Sequence, residues 1–432
     1  MDYTQVFILV VSFIILLGIG VPVAYSIGLS SMCTLLLTIP SLPALSTLAQ
    51  RMATALDSFA LLAIPFFILA GQMMNKGGIA ERLIDLAKVL VGRLPGGLAF
   101  VNIISCMLFG AISGSAVAAA SAIGGFMTGR MEKEGYSKSF SAAINITSST
   151  TGLIIPPSNV LIVYSLASGG VSIAALFLAG YIPGVLVGLL LVSVAGVWSY
   201  VKKYPVGESA GFREALTKTW RALPSLLLLV IVMGGIVAGI FTATEASAIA
   251  VIYTAILSIG IYKEVQWNDV PAIFIETAKT TAVVMLLIGT SMGMSWVMSY
   301  ERIPQEVSET LIGLSENKIV ILVIINLILL FVGIFMDMTP AILIFTPIFL
   351  PVVTQLGMNP VHFGIVMVLN LCIGLCTPPV GSVLFVGVGV AKTSIQKVIK
   401  PLVPLFVAML VALLLVTYFS EITLWLPRQF GF

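Results

Sequence analysis

Charge is what this chain lacks most: only 9% of its 432 residues are Asp, Glu, Lys or Arg, whereas 59% are hydrophobic. With a mean hydropathy of +1.14, it lies far from a soluble globular composition, and a bilayer is its natural solvent. The single histidine, His362, leaves little material for acid–base or metal chemistry. Cys33, Cys106, Cys372 and Cys376 all sit in apolar stretches, and the i,i+4 spacing of the last two, with no further ligands nearby, reads as helix packing. A formal charge of +3 is too small to suggest a nucleic-acid partner. The first residues also lack the basic flank and small-residue cleavage site of a secretory signal, so residue 6 onward reads as a retained span.

What is present is long apolar sequence. Uncharged runs of about 17 residues or more, enough to cross a hydrocarbon core as helix, recur at residues 6–46, 59–75, 171–201, 223–244, 246–262 and 402–420. The expectation is an all-α polytopic membrane protein with no soluble domain left over.

Sliding the sequence against itself by about 222 positions brings its punctuation into register. Gly152-Leu-Ile-Ile-Pro156-Pro157-Ser158 falls on Gly374-Leu-Cys-Thr-Pro378-Pro379-Val380, and Gly135 falls on Gly357. Gly110 lies near Gly333, and Pro183 near Pro404. Two repeats follow, residues 1–203 and 223–432, joined by a polar linker at 204–222.

Lys and Arg mark the cytoplasmic side of short loops, and matched loops of the two halves differ. Lys76, Arg82, Lys88 and Arg93 correspond to a stretch with only Arg302 and Lys318 among several glutamates, while Lys392, Lys397 and Lys400 match uncharged residues 168–172. Basic loops in one half therefore meet neutral or acidic loops in the other, as inverted topology requires. The linker is expected in the cytoplasm and the C-terminal tail in the periplasm. Residues 76–93, with Ile79, Leu83, Leu86, Ala87 and Leu90 on one face, read as an amphipathic helix along the interface, the alternative being a short cytoplasmic loop helix. The segment Gly18-Ile-Gly-Val-Pro22 is either a turn between two spans or a kink in one.

Each half holds a segment too long and too interrupted for a simple span, about 99–130 and about 319–355, with both ends on one side by the charge argument. These read as re-entrant helical hairpins, entering from the cytoplasm and the periplasm respectively. Each precedes a span broken by Gly-x-x-x-Pro-Pro, where two prolines remove amide donors and leave carbonyls without partners at membrane depth. Such backbone survives only inside protein or beside a polar cavity. Carbonyls and hydroxyls converging there suit a dehydrated monovalent cation, and half-helix N-termini suit an anion.

Two cation sites are therefore expected, one from Gly110, Ser113, Ser115, Gly152, Ile155 and Ser158, the other from Gly333, Asp337, Thr339, Gly374, Thr377 and Val380. An anion site between them would use Ser149, Thr150, Thr151 and Asn159. Serine and threonine also bond back to their own helix, Asp337 also suits a helix N-cap, and the paired glycines also suit close helix packing. Glu245 reads as a helix cap, and His362 as packing at a span start.

The motifs Leu62-Ala-Ile-Pro-Phe-Phe-Ile-Leu-Ala-Gly71, Ser113-Gly-Ser-Ala-Val117, Ile154-Ile-Pro-Pro-Ser158, Gly239-Ile-Phe-Thr-Ala-Thr-Glu-Ala246, Met336-Asp-Met-Thr-Pro340 and Gly374-Leu-Cys-Thr-Pro-Pro-Val-Gly381 carry a resemblance over essentially the whole chain. The sequence resembles the large membrane subunit of tripartite ATP-independent periplasmic (TRAP) transporters. That resemblance implies an elevator transporter of the bacterial inner membrane, with sodium as coupling ion and no other cofactor. It also implies two partners, a small four-helix membrane subunit and a periplasmic substrate-binding protein. Family substrates are C4-dicarboxylates, sialic acid and other sugar acids; Asn159 leans toward a hydroxylated sugar acid. Two departures stand out: Ala119 replaces an acidic residue found in many members, and Ala243 replaces a usual proline.

Three rival readings share parts of this pattern. A stand-alone elevator transporter for di- or tricarboxylates would need no binding protein. A passive channel would not accumulate substrate. An intramembrane serine hydrolase at Gly110-Ala-Ile-Ser-Gly114 lacks a credible base, since His362 is predicted at the periplasmic edge; no enzymatic activity is expected.

Overall fold

A computed structural model of the chain describes residues 3–205, 211–315 and 317–432, and every regular element among them is helical. The first half runs through α1 (Tyr3–Gly18), α2 (Val23–Thr38), α3 (Ser41–Leu56), α4 (Ala63–Lys76), α5 (Ile79–Val91), α6 (Gly97–Ser113), α7 (Ala116–Lys133), α8 (Lys138–Thr151), α9 (Asn159–Ala167) and α10 (Ile173–Lys202). The second comprises α11 (Phe212–Val237), α12 (Ala243–Ala255), α13 (Val270–Tyr300), α14 (Ile303–Leu314), α15 (Lys318–Phe335), α16 (Met338–Gln355), α17 (Pro360–Gly374), α18 (Ser382–Val390), α19 (Ile395–Tyr418) and α20 (Glu421–Gln429). Among the described residues, eight helices are long and apolar enough to cross a membrane.

The matched glycines act as matched stops. Gly135 and Gly357 both take positive φ, at 85° and 74°. At each, two backbone bonds close the preceding helix: Tyr136 N to Met131 O and Gly135 N to Glu132 O, then Met358 N to Val353 O and Gly357 N to Thr354 O. This is the left-handed helix ending that a Cβ would strain. The chain then restarts on matched caps, Ser137 accepting from Phe140 N at 3.3 Å and Asn359 from Val361 N at 2.8 Å.

Packing follows the same pairing. The α6–α7 hairpin lies on α8 and its α7 reaches α18, while α15–α16 lies on α17 and its α16 reaches α9. Around this unit stands a frame in which α4 packs on α12, α2 and α3 on α13, and α5 on α11. The two groups meet where α5 packs on α6 and α14 on α16, and also where α4 touches α6 and α9 and α13 touches α16.

Several readings change in detail. Gly18 to Pro22 is a turn between α1 and α2, which pack on each other, with Gly20 at φ 86°. The linker expected at 204–222 is shorter than drawn, because α11 already begins at Phe212, and residues 206–210 lie outside the described residues. On α5 the apolar face buries Ile79, Leu83, Leu86 and Ala87, but Leu90 is exposed one residue before the helix ends. Glu245 closes a capping box, its carboxylate accepting from Thr242 N at 2.7 Å while Thr242 Oγ1 accepts from Glu245 N at 3.2 Å. His362 is buried, its ring nitrogens 2.6 Å from Thr423 Oγ1 and 3.2 Å from the Thr417 carbonyl, which ties α17 to α19 and α20.

Candidate functional site

Two helix breaks, each facing a hairpin tip, define the centre of the molecule. In both halves the break is preceded by a glycine in backbone contact with a hairpin glycine. A Cβ built on Gly110 would stand 2.8 Å from the Gly152 Cα, and one on Gly333 would stand 3.1 Å from the Gly374 Cα. The reverse substitutions fare worse: a Cβ on Gly374 would lie 2.5 Å from the Gly333 Cα, and one on Gly152 would overlap the Gly110 Cα. Real carbons do not approach so closely, so each pair lets two backbones touch where any side chain would wedge them apart. The close-packing reading of these glycines is thus met in the structure. Both Pro156-Pro157 and Pro378-Pro379 are cis.

The first cation-site set is gathered in two groups. Ser113 and Ser115 form the α6–α7 tip, where Ser115 Oγ accepts from Ala118 N at 3.2 Å and so caps α7. Across from it, Ser158 donates to the Leu153 carbonyl at 2.6 Å. The Ile155 side chain turns away against Gly184 of α10, leaving only its backbone as a possible ligand. In the second set, Asp337 holds the N-cap position of α16 without making a side-chain cap bond, and its side chain is exposed rather than packed. Thr377 donates to the Ile373 carbonyl at 2.7 Å, and Val380 is exposed. Gly381 N bonds the Ile334 carbonyl at 3.1 Å, tying the second break to its hairpin. The Leu375 and Thr377 carbonyl oxygens each lie 2.8 Å from where a Gly381 Cβ would stand, so they converge on one point. A hydroxyl that donates its proton to a carbonyl keeps its lone pairs free for a cation. Hard oxygen donors of this kind fit sodium, whereas among the described residues no group of three His, Cys, Asp or Glu is placed to hold a metal ion.

Between the tips lies a cavity of about 370 Å³. Its walls come from both hairpins (Ser113, Ser115, Asp337, Thr339), from the start of α9 (Asn159), and from the frame helices α4 (Gln72, Asn75) and α13 (Thr280, Val284). Three helices, α7, α9 and α16, present first-turn residues to it. Their N-terminal amides concentrate partial positive charge, which favours an anion. Close approach of frame and tip is possible because Gly71 has no side chain; a Cβ there would sit 3.0 Å from the Ser113 carbonyl oxygen. Two larger cavities, about 590 and 660 Å³, contain no residue of either break: one is walled by ion-paired residues such as Arg82 and Glu264, the other by apolar side chains and Gly18.

Of the expected anion-site residues, Asn159 lines this cavity and the three hydroxyls do not. Ser149, Thr150 and Thr151 are fully buried in α8, and each bonds back to a carbonyl of its own helix: Ser149 to Asn145, Thr150 to Thr147 at 3.0 Å, Thr151 to Ser148. The hydroxyl-rich run packs α8 against α17 instead, where Cys372 Sγ approaches the Thr150 carbonyl at 3.3 Å and Cys376 Sγ the Ile146 carbonyl at 3.5 Å. Gln72, Asn75 and Thr280 were missed. The available signal was Gln72 and Asn75, three residues apart and so on one face of an otherwise apolar helix.

A family model described as "Tripartite ATP-independent periplasmic transporter, DctM component" matches residues 10–422. The chain is 56% identical over 434 residues to "Uncharacterized protein YgiK" of Salmonella typhimurium, covering 100% of each. It is 40% identical to "C4-dicarboxylate TRAP transporter large permease protein DctM" of Pseudomonas aeruginosa, over 94% of each chain. Its fold is similar to that of the YdaH transporter of Alcanivorax borkumensis, with a TM-score of 0.66, 14% identity, and 89% and 90% of the two chains covered.

Proposed function

This chain belongs to the tripartite ATP-independent periplasmic transporter family as its large, DctM-type membrane component, and from that premise we propose that it imports a small organic acid on a sodium gradient by an elevator movement. The observation that carries the reading is the cavity shared by both hairpin tips and the frame helices α4 and α13. A site walled on one side by the hairpin unit and on the other by the frame changes its access when one slides against the other. The moving body is α6–α10 with α15–α20 and the frame is α1–α4 with α11–α13, while α5 and α14, which pack on helices of both, bridge the two.

In this reading sodium is held at the two break–tip junctions by carbonyls, by Ser113, Ser115 and Ser158, and by Asp337, Thr339 and Thr377. The acid is seated between them at the N-termini of α7, α9 and α16. Asp337 is the most informative of these residues. An acidic side chain left without cap bonds at a hairpin tip is costly in a membrane interior unless a cation answers it. The partners are a small four-helix membrane subunit and a periplasmic binding protein that delivers the acid, in the bacterial inner membrane. The P. aeruginosa relative, by its name, carries C4-dicarboxylates.

The test is uptake into proteoliposomes holding the chain and its small subunit, with the binding protein added outside. Accumulation that needs both an inward sodium gradient and the binding protein is expected. Accumulation without the binding protein would favour a stand-alone carrier, and equilibration without accumulation a channel.

A further inference from the structure

We propose that the cavity is selective for a hydroxyl-bearing monocarboxylate, a sugar acid, over an unsubstituted C4-dicarboxylate, with Asn159, Gln72 and Asn75 reading the hydroxyls. This deepens the import reading above and rests on it.

Hydrogen-bond donors and acceptors around the cavity set this preference. The side-chain oxygen of Asn159 is buried and has no hydrogen-bond partner, although its residue lines the cavity and its amide nitrogen lies beside Gly114. A buried acceptor left unpaired is costly, and a ligand that brings a donor recovers that cost. Asp337, on the same cavity, is a second acceptor when ionised. Succinate and fumarate, as dianions, carry acceptors only, so they satisfy neither group. A sugar acid carries several hydroxyls that donate to Asn159 and Asp337 and accept from the amide groups of Gln72 and Asn75.

Charge points the same way. Among the described residues, no lysine or arginine lines the cavity. Lys279, next to the lining residue Thr280, is engaged with Glu276 at 2.9 Å. The three helix N-termini supply roughly half a positive charge each, partly offset by the Asp337 carboxylate. That arrangement seats one carboxylate. A second would find no lysine or arginine of its own in the lining, while sodium at the junctions, which answers Asp337, would favour either acid alike. Sites built to hydrogen-bond a substrate hydroxyl reject analogues that lack it, because their buried groups are then left unpaired.

The test uses the full chain with its small subunit in detergent, without the binding protein, so that the selectivity read is that of the permease. Thermal stabilisation is titrated with D-gluconate and with succinate, in sodium and in choline salts at equal ionic strength. A sodium-dependent shift is expected with half-saturation at least tenfold lower for D-gluconate. Asn159→Ala and Gln72→Ala should each raise that half-saturation about tenfold while leaving the shift from sodium alone intact. Equal or tighter half-saturation for succinate would overturn the proposal and leave organic-acid import standing. No shift with either acid would overturn this cavity as the binding site, and the uptake experiment would then decide the import reading separately. A variant that lost the sodium-only shift as well would be a folding defect, and the wild-type ratio of the two acids decides without it.

Discussion

Asp337 and Asn159, both expected from the sequence as polar residues beside helix breaks in a chain poor in charge, line the central cavity. Their places in the fold differ from their neighbours' for a physical reason. Asp337 occupies an N-cap position without a side-chain cap bond and lines the cavity, where its carboxylate can answer a cation. Asp337→Asn should therefore raise the sodium concentration for half-maximal uptake about tenfold, equivalent to about 1.4 kcal/mol, with folded yield unchanged. An unshifted sodium titration in well-folded protein would return the residue to a structural role. Ser149, Thr150 and Thr151 look equally polar in sequence, yet they continue a helix, and a helical hydroxyl always has the carbonyl one turn back within reach. Nothing in composition distinguishes a hydroxyl spent that way from one facing a cavity. Gln72 and Asn75 carry no such signal, because they sit in an unbroken helix with no glycine–proline break beside them.

At the scale of elements, the sequence placed the hairpins to within a few residues, 99–130 against α6–α7 and 319–355 against α15–α16. Glycine, proline and cap residues act locally, so helix stops can be read without knowing the tertiary fold. The tertiary use of Gly110, Gly152, Gly333 and Gly374 was not readable, because ion binding and close packing place the same demand on sequence. The geometry makes a specific expectation. Gly152→Ala drives a Cβ into the backbone of α6, and overpacking of this kind costs about 1–3 kcal/mol. Gly125→Ala, in the middle of α7 with open space where the Cβ would go, should instead be neutral or stabilising by up to about 1 kcal/mol. Thermal unfolding in detergent compares the two. Equal melting temperatures would mean that the contact of α6 with the break does not hold the hairpin in place.

At the scale of the molecule, the repeat was visible as a shift of about 222 residues, and the structure repeats the same stops, caps and hairpin-on-break packing in both halves. Which groups face each other across the repeats was beyond sequence reading, since the cavity draws on five separate regions of the chain. The claim on which the account rests is that the hairpin unit moves against the frame while carrying that cavity. Val117 on α7 and Val284 on α13 line it from the two sides. The most direct measurement replaces Cys33, the only exposed cysteine among the described residues, by serine, introduces Val117→Cys and Val284→Cys together, and follows uptake before and after joining them with a bifunctional thiol reagent. The account predicts that each single variant still transports after treatment and that the linked protein does not. Undiminished uptake in fully linked protein would contradict it.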